Sequence, residues 1–202
     1  MEICLNINNI ASIKNVLLLR IRLTLFLIGD DNLINIAVLE EKEENAFKLA
    51  LLSIMKQLGF EDINISSKLE SDLYEYVILN SDFFIMGKEI ECNHFFINMD
   101  KVLENSSLIK GNLITYGYGN KNTVTISSFE GENSCFVYCI QRFMNFNFLR
   151  VLGPQEIPIL TYINSEDCIY PYMVAITIGL LEGISPEQVK IKLDSKNLIY
   201  SV

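Results

Sequence analysis

The most regular hydrophobic pattern in the first half of the chain predicts a helix. Apolar side chains recur at helical spacing from Ala46 to Leu58, directly after the acidic run at residues 40–44. Acidic residues interact favourably with the start of a helix dipole, and Gly59 suits the C-terminal cap. The charge run therefore indicates a solvated helix start rather than a functional site.

Two further helices are predicted in the last third of the chain. Pro171 suits the first position of a helix, where its missing N–H has no partner to lose. The residues that follow it are almost all apolar as far as the stop at Gly183, which indicates a buried helix. Ser185 and Gln188 then have the spacing of a capping box, in which the serine caps a new helix and the glutamine reaches back.

Short runs of apolar, β-branched and aromatic residues predict the strands. Residues 16–28 and 33–39 are expected to form a hairpin about a turn at residues 29–32. The other predicted strands are residues 1–7, 63–65, 76–79, 95–98, 113–116, 123–128, 135–142 and 157–162, with an edge strand in 198–202. Residues 67–74 fit no single state, and residues 83–86 fit a strand or a loop. Strands followed by covering helices indicate an α/β or α+β domain.

Composition narrows the class of protein. The 202 residues fit one domain, and half of them are hydrophobic, which favours a sheet buried on both faces or an apolar surface covered by a partner. The net charge of −9, from 25 acidic and 16 basic residues, repels phosphate backbones, so we expect no nucleic-acid partner. Residues 116–148 are rich in aromatic side chains and contain only two cations, Lys121 and Arg142, which indicates a core or a protein interface rather than a base-stacking surface.

Neither a membrane segment nor a metal site is predicted. The apolar segment 16–28 is interrupted by Arg20 and Arg22, and a membrane span needs about twenty apolar residues. Because this segment also lacks a small-residue cleavage site, a cytoplasmic protein is expected. The sole histidine, His94, would share one strand face with Cys92 but lacks further ligands, so its role is predicted to be structural.

The five cysteines show no Cys-x-x-Cys spacing, which indicates reduced, mostly buried thiols. Cys135 and Cys139 lie four residues apart in a predicted strand and should therefore share one face. We expect both to act as small buried hydrophobic residues.

About one hundred residues, from Phe95 to Leu193, resemble the Mur ligases, the ATP-dependent enzymes that add amino acids to peptidoglycan precursors. The strand ending in Asn98-Met-Asp100 looks like the family's strand that ends in Asn-x-Asp, and the strand ending in Tyr116-Gly117 looks like its strand that ends in an aromatic residue and glycine. The β segments that follow are similar to the family's small antiparallel sheet. Residues 170–184 align with its last helix of the central domain.

The resemblance also implies positions for remnants of a binding site. Asn80 follows a strand that would correspond to the family's strand ending in Thr-Asn, and Glu40 would stand where the family keeps a metal-binding glutamate. The candidate remnants of a cofactor-binding site are therefore Asn80, Asn98, Asp100 and Asp167.

Motifs that the family's chemistry requires are missing. No Gly-x-x-x-x-Gly-Lys-Ser/Thr loop is present to hold phosphates, and the family's Asp-His pair and carbamylated lysine are not found. Where the family has a His-Asn pair and a helix-starting asparagine, this chain has Asp167, Cys168 and Pro171. The carboxylates of Glu166 and Asp167 would also repel a polyphosphate.

These observations predict a single α/β domain over residues 1–202, with a divergent part (1–94) and a part that matches the Mur-ligase central domain better (95–202). We expect a mainly parallel sheet with a small antiparallel sheet, flanked by helices. The expected function is a non-catalytic interaction or regulatory module, with a protein partner or a homo-oligomer, no catalytic residues, no metal and no cofactor. The alternatives are a nucleotide- or UDP-precursor-binding subunit of a split ligase, and an unrelated α/β domain.

Overall fold

A computed structural model describes residues 33–40, 46–69, 74–81, 90–102, 109–130, 135–147, 150–161, 163 and 168–194. Apart from Leu33, these residues all belong to one compact unit, Ile34–Val202. The strands predicted at residues 1–7, 16–28 and 198–202, and the segment 83–86, lie outside the described residues. The extent of the domain stays a prediction.

The described residues form ten strands and three helices. The strands are β1 (Ile34–Leu39), β2 (Ile63–Ser66), β3 (Tyr74–Leu79), β4 (Ile90–Asn98), β5 (Ile109–Tyr116), β6 (Val124–Glu130), β7 (Cys135–Ile140), β8 (Met144–Asn147), β9 (Arg150–Leu152) and β10 (Gln155–Leu160). The helices are α1 (Ala46–Gln57), α2 (Ile169–Leu181) and α3 (Pro186–Leu193).

Eight strands form one mixed sheet in the order β10-β7-β6-β5-β4-β3-β1-β2. Pairing is parallel from β2 across to β6, and antiparallel from β6 through β7 to β10. The two parts join where Tyr116 of β5 pairs with Val124 of β6. This arrangement confirms the predicted fold class, with the antiparallel part continuous with the parallel one. Strands β8 and β9 form a separate hairpin.

The main core lies between one face of the sheet and the three helices. Helix α2 contributes an almost continuous run of buried residues and contacts α1 and β6. The hydroxyls of Tyr138 on β7 and Thr177 on α2 lie 2.7 Å apart, and the rings of Phe136 and Tyr172 make an edge contact. The antiparallel strands therefore pack against the apolar helix.

The other face of the sheet is also buried over its parallel half. Its cluster contains Ala37, Leu39, Tyr74, Val77, Leu79, Phe95, Ile97 and Val102. Burial on both faces explains why these strands are near-continuous apolar runs in the sequence. On β5, by contrast, Leu113 is 57% exposed on the sheet surface.

The predicted hairpin between residues 16–28 and 33–39 is wrong. Strand β1 is flanked on one side by β2 and on the other by β3, and both pairings are parallel. Alternating hydrophobicity identified the strand, but it carries no information on which strands lie beside it.

The predicted start of the apolar helix is wrong by two residues. Helix α2 begins at Ile169 with Cys168 at its N-cap, so Pro171 occupies the third helical position rather than the first. Proline is tolerated there because the first four N–H groups of a helix have no intrahelical acceptor. The stop at Gly183 is confirmed, with φ at 101°, and so is the capping box of Ser185 and Gln188.

Helix α2, the most apolar of the three, has only 13 residues. None of the helices within the described parts of the chain is both long and apolar enough to cross a membrane.

Candidate functional site

Polar side chains gather where the parallel strands end. Asn80 follows β3, Asn98 closes β4 with Asp100 two residues later, and Tyr116 closes β5. The strands are parallel neighbours, so these carboxyl ends meet at one edge of the sheet. In open α/β sheets this edge is the usual place for a ligand.

The centre of this edge is a buried side-chain network on Asn80. Its Oδ1 accepts one hydrogen bond from Nδ2 of Asn98 and a second from the hydroxyl of Tyr116, each 3.0 Å long. Asn98 and Tyr116 have no exposed surface, and Asn80 is 5% exposed. The backbone N–H of Asn80 also donates to the carbonyl of Leu39, which ties the end of β3 to that of β1.

The environment of Tyr116 keeps its hydroxyl protonated. Burial raises the pKa of Tyr116 well above its ordinary value, and the negative charge of Glu40 raises it further. A side-chain hydrogen bond with Asn98 opposes these effects. Tyr116 therefore acts as a neutral donor, and Glu40, at the end of β1, lies close enough to influence the same network electrostatically.

A second network lies beside the first and is centred on Asp100. The backbone N–H of Asp100 donates to Oδ1 of Asn98 over 3.1 Å, which connects the two networks. Oδ2 of Asp100 accepts from the backbone N–H of Tyr118 at 2.7 Å and from the hydroxyl of Tyr170 at 3.1 Å. One carboxylate thus connects the end of β4, the turn after β5 and the start of α2.

Gly117 makes the approach of this carboxylate possible. Its φ is +144°, and a Cβ at this position would lie 2.7 Å from Oδ2 of Asp100. Any other residue would combine backbone strain with a clash against the carboxylate. The glycine of the Tyr116-Gly117 pair is therefore needed at the end of β5 to make room for the Asp100 carboxylate.

The arrangement connects the chain's own groups to one another. Phosphate sites use backbone N–H groups that point at the ligand, but the N–H of Tyr118 already donates to Asp100. Among the described residues, no group of three or more His, Cys, Asp or Glu side chains could hold a metal ion.

Comparison with known proteins shows which solved structures share this fold. No protein-family model and no curated protein sequence matches the chain. Among solved structures, UDP-N-acetylmuramoyl-L-alanyl-D-glutamate–2,6-diaminopimelate ligase matches with a TM-score of 0.54 and 10% identity, over 84% of this chain and 47% of that one. The chain has the fold of a Mur ligase. A structure of MurF from Acinetobacter baumannii also matches, with a TM-score of 0.47 and 10% identity, over 81% of this chain and 45% of that one.

The chain spans about half the length of the ligase structures it matches. At this level of identity the likeness concerns fold alone. It confirms the Mur-ligase resemblance in architecture, and it leaves activity to be argued from the residues of this chain.

Three of the four candidate remnants are brought together by the Mur-ligase fold. Asn80 and Asn98 bond directly, and Asp100 joins them through its backbone N–H. Asp167 lies outside the described residues. Sequence reasoning missed the tyrosine partners of Asp100, because Tyr170 is 70 positions away along the chain.

The prediction that Cys92 and His94 share one face of β4 is wrong. His94 stacks on Tyr76 in the helix-side core, whereas Cys92 packs with the cluster on the other face. An extra residue on β4 relative to β5, between Glu91 and His94, shifts the register and reverses the alternation. The predicted structural role of His94 fits its 3% exposure.

The prediction of mostly buried thiols is also wrong within the described residues. Cys92, Cys135 and Cys139 are half-buried, and Cys168 is exposed. Cys135 and Cys139 do share one face of β7, but the buried positions on that strand are the alternate ones. Alternation predicted the shared face and gave no indication of which face meets the core.

Proposed function

We propose that this chain is a non-catalytic, cytoplasmic, single-domain protein that acts as an interaction or regulatory module beside cell-wall or other peptide-ligating enzymes. The observation that carries the proposal is that the described polar residues at the carboxyl edge of the sheet bond to groups of this same chain. Oδ1 of Asn80 accepts from Asn98 and Tyr116, and Oδ2 of Asp100 accepts from Tyr118 and Tyr170.

Exposed apolar side chains support a protein partner or a homo-oligomer. Phe143, directly before the β8–β9 hairpin, is 74% exposed, and Val151 within the hairpin is 56% exposed. Aromatic residues that remain exposed on a folded domain are frequent anchors of interfaces. An interface at this hairpin would also account for part of the aromatic-rich stretch that the sequence contains.

Titration calorimetry tests whether the protein binds the ligands that a ligase would need. The intact protein is titrated with ATP–Mg²⁺ and, separately, with UDP-linked peptidoglycan precursors. We expect no binding heat at millimolar ligand, because the backbone N–H of Tyr118 already donates to Asp100 and the sequence lacks a Gly-x-x-x-x-Gly-Lys-Ser/Thr motif. Binding at millimolar affinity or better would overturn the proposal and favour a nucleotide- or precursor-binding subunit of a split ligase.

Association is tested with paired surface variants. Sedimentation and pull-down experiments compare the unaltered protein with Phe143→Ser and with Leu49→Ser, a control at another residue that is 61% exposed. We expect Phe143→Ser to weaken association at least tenfold and Leu49→Ser to leave it unchanged. A strict monomer that captures no partner would contradict the interaction module.

The split-ligase subunit remains the second candidate, because the Mur-ligase fold extends over 84% of the chain. The same structural match to a Mur ligase disfavours the third hypothesis, an unrelated α/β domain.

A further inference from the structure

The carboxylate of Asp100 is held in the manner of a bound ligand. It accepts hydrogen bonds at a single oxygen from the N–H of Tyr118 and the hydroxyl of Tyr170, two groups on different elements. Nζ of Lys101 lies 4.7 Å from the centroid of the Tyr170 ring, so a positive charge is held beside one of the two donors. Two convergent donors with a cation nearby are the elements of an anion site.

The backbone at Gly117 completes the shape of this site. All three atoms of the Asp100 carboxylate lie within 2.8 Å of the position that a Cβ of Gly117 would occupy. The carboxylate therefore occupies a space that exists only because residue 117 has no side chain. A small anion without a covalent link to the chain would meet the same donors in the same space.

We propose that Tyr118 N–H, Tyr170 hydroxyl and the backbone of Gly117 form a small-carboxylate site, in which Asp100 is a built-in ligand. The chain carries a net charge of −9, which disfavours capture of a free anion from solution. A tethered carboxylate overcomes this through its high effective concentration. The proposal rests on the proposed non-catalytic function. It adds that the carboxylate of Asp100 is the group that occupies this edge of the sheet.

Replacement of Asp100 by glycine empties the site, and added acetate is expected to bind in place of the missing carboxylate. The Asp100→Gly change removes Cβ and the carboxylate, and acetate supplies the same heavy atoms. With an acetate Kd of about 0.1 M, 1 M sodium acetate raises the unfolding midpoint of this variant by about 3 °C more than it raises that of the unaltered protein. Each midpoint is referred to 1 M sodium chloride at the same pH.

Two control variants separate site binding from general salt effects. Asp100→Asn keeps the space filled and retains an acceptor oxygen, so acetate should give it no extra stabilisation. Asp62→Gly introduces glycine at another exposed aspartate, so its response should equal that of the unaltered protein. Equal acetate effects in all four proteins would overturn the proposal.

A second variant decides the outcome if Asp100→Gly does not fold in chloride. Folding of that variant in acetate alone supports the site. If it folds in neither salt, Asp100→Ala is titrated with formate, which replaces the carboxylate without its methylene, and absence of a specific formate effect overturns the site. The calorimetry with ATP–Mg²⁺ on the unaltered protein is independent, so failure of the proposed function and failure of this site are distinguishable.

Discussion

At the scale of single residues, Asn80 is the point on which the carboxyl edge of the sheet depends most. One side-chain oxygen accepts hydrogen bonds from both Asn98 and Tyr116, and all three residues are buried. A buried donor that loses its acceptor has neither water nor a protein group to bond to, and this lowers the stability of the folded state. Changes to the acceptor and to a donor should therefore have unequal costs.

We predict that Asn80→Leu lowers the free energy of unfolding by about 2–4 kcal/mol, because it leaves two buried donors without their acceptor. Tyr116→Phe should cost only about 1 kcal/mol, since Asn80 then still accepts from Asn98. Urea denaturation of the two variants and the unaltered protein measures both values. Equal costs would show that the shared oxygen is not the critical group.

The candidate residues at this edge came from the resemblance to the Mur ligases, whose motifs place polar residues such as Asn80 and Asn98 at the ends of strands. That resemblance implied that both residues belong to the remnant of one site. The partners Tyr118 and Tyr170 could not be identified in this way. Their roles depend on how the turn after β5 and the start of α2 approach Asp100, which no local pattern encodes.

At the scale of elements, local signals predicted helices better than strand neighbours. Helix α1 and its stop at Gly59, with φ at 96°, follow directly from the 3.6-residue period and the glycine cap. The period of a strand, by contrast, says nothing of its partners, which is why the hairpin prediction for β1 was wrong. The short β8–β9 hairpin was missed because its strands have only four and three residues.

Helix α3 offers a clean measurement of a capping box. The Ser185 hydroxyl accepts from the N–H of Gln188 at 3.2 Å, and Oε1 of Gln188 accepts from the N–H of Ser185 at 3.1 Å. We predict that Ser185→Ala destabilises the protein by about 1 kcal/mol, whereas Ser185→Asp retains most of the stability. Ser53→Ala, at an exposed position within α1, is the matched control and should cost nothing. A loss from Ser185→Asp as large as that from Ser185→Ala would argue against the cap.

At the scale of the whole molecule, the core depends on polar groups that are stable there only when uncharged. Burial raises the pKa of both Tyr116 and Tyr138 above the ordinary tyrosine value, and it raises the pKa of Cys92 from 9.0 to about 12. Tyr138 lies between the antiparallel strands and α2, and Cys92 packs on the other face of the sheet. Ionisation is thus disfavoured on both faces of the same sheet.

These shifts predict that the protein unfolds in alkali. A folded-state pKa above the unfolded value gives stability that is fully present below the unfolded pKa and is lost as pH rises toward the folded one. The free energy of unfolding should therefore fall from about pH 9, where Cys92 begins to contribute, and more steeply above about pH 10, where the tyrosines join. Tyrosinate absorbance at 295 nm and far-UV circular dichroism, followed together against pH, test this. Part of the increase in tyrosinate absorbance should occur at the same pH as the loss of secondary structure. The chain has nine tyrosines, and Tyr138→Phe should lower this part of the increase by the absorbance of one tyrosinate. Complete tyrosine ionisation below pH 11 with an unchanged dichroism spectrum would show that these side chains are not buried in the folded protein.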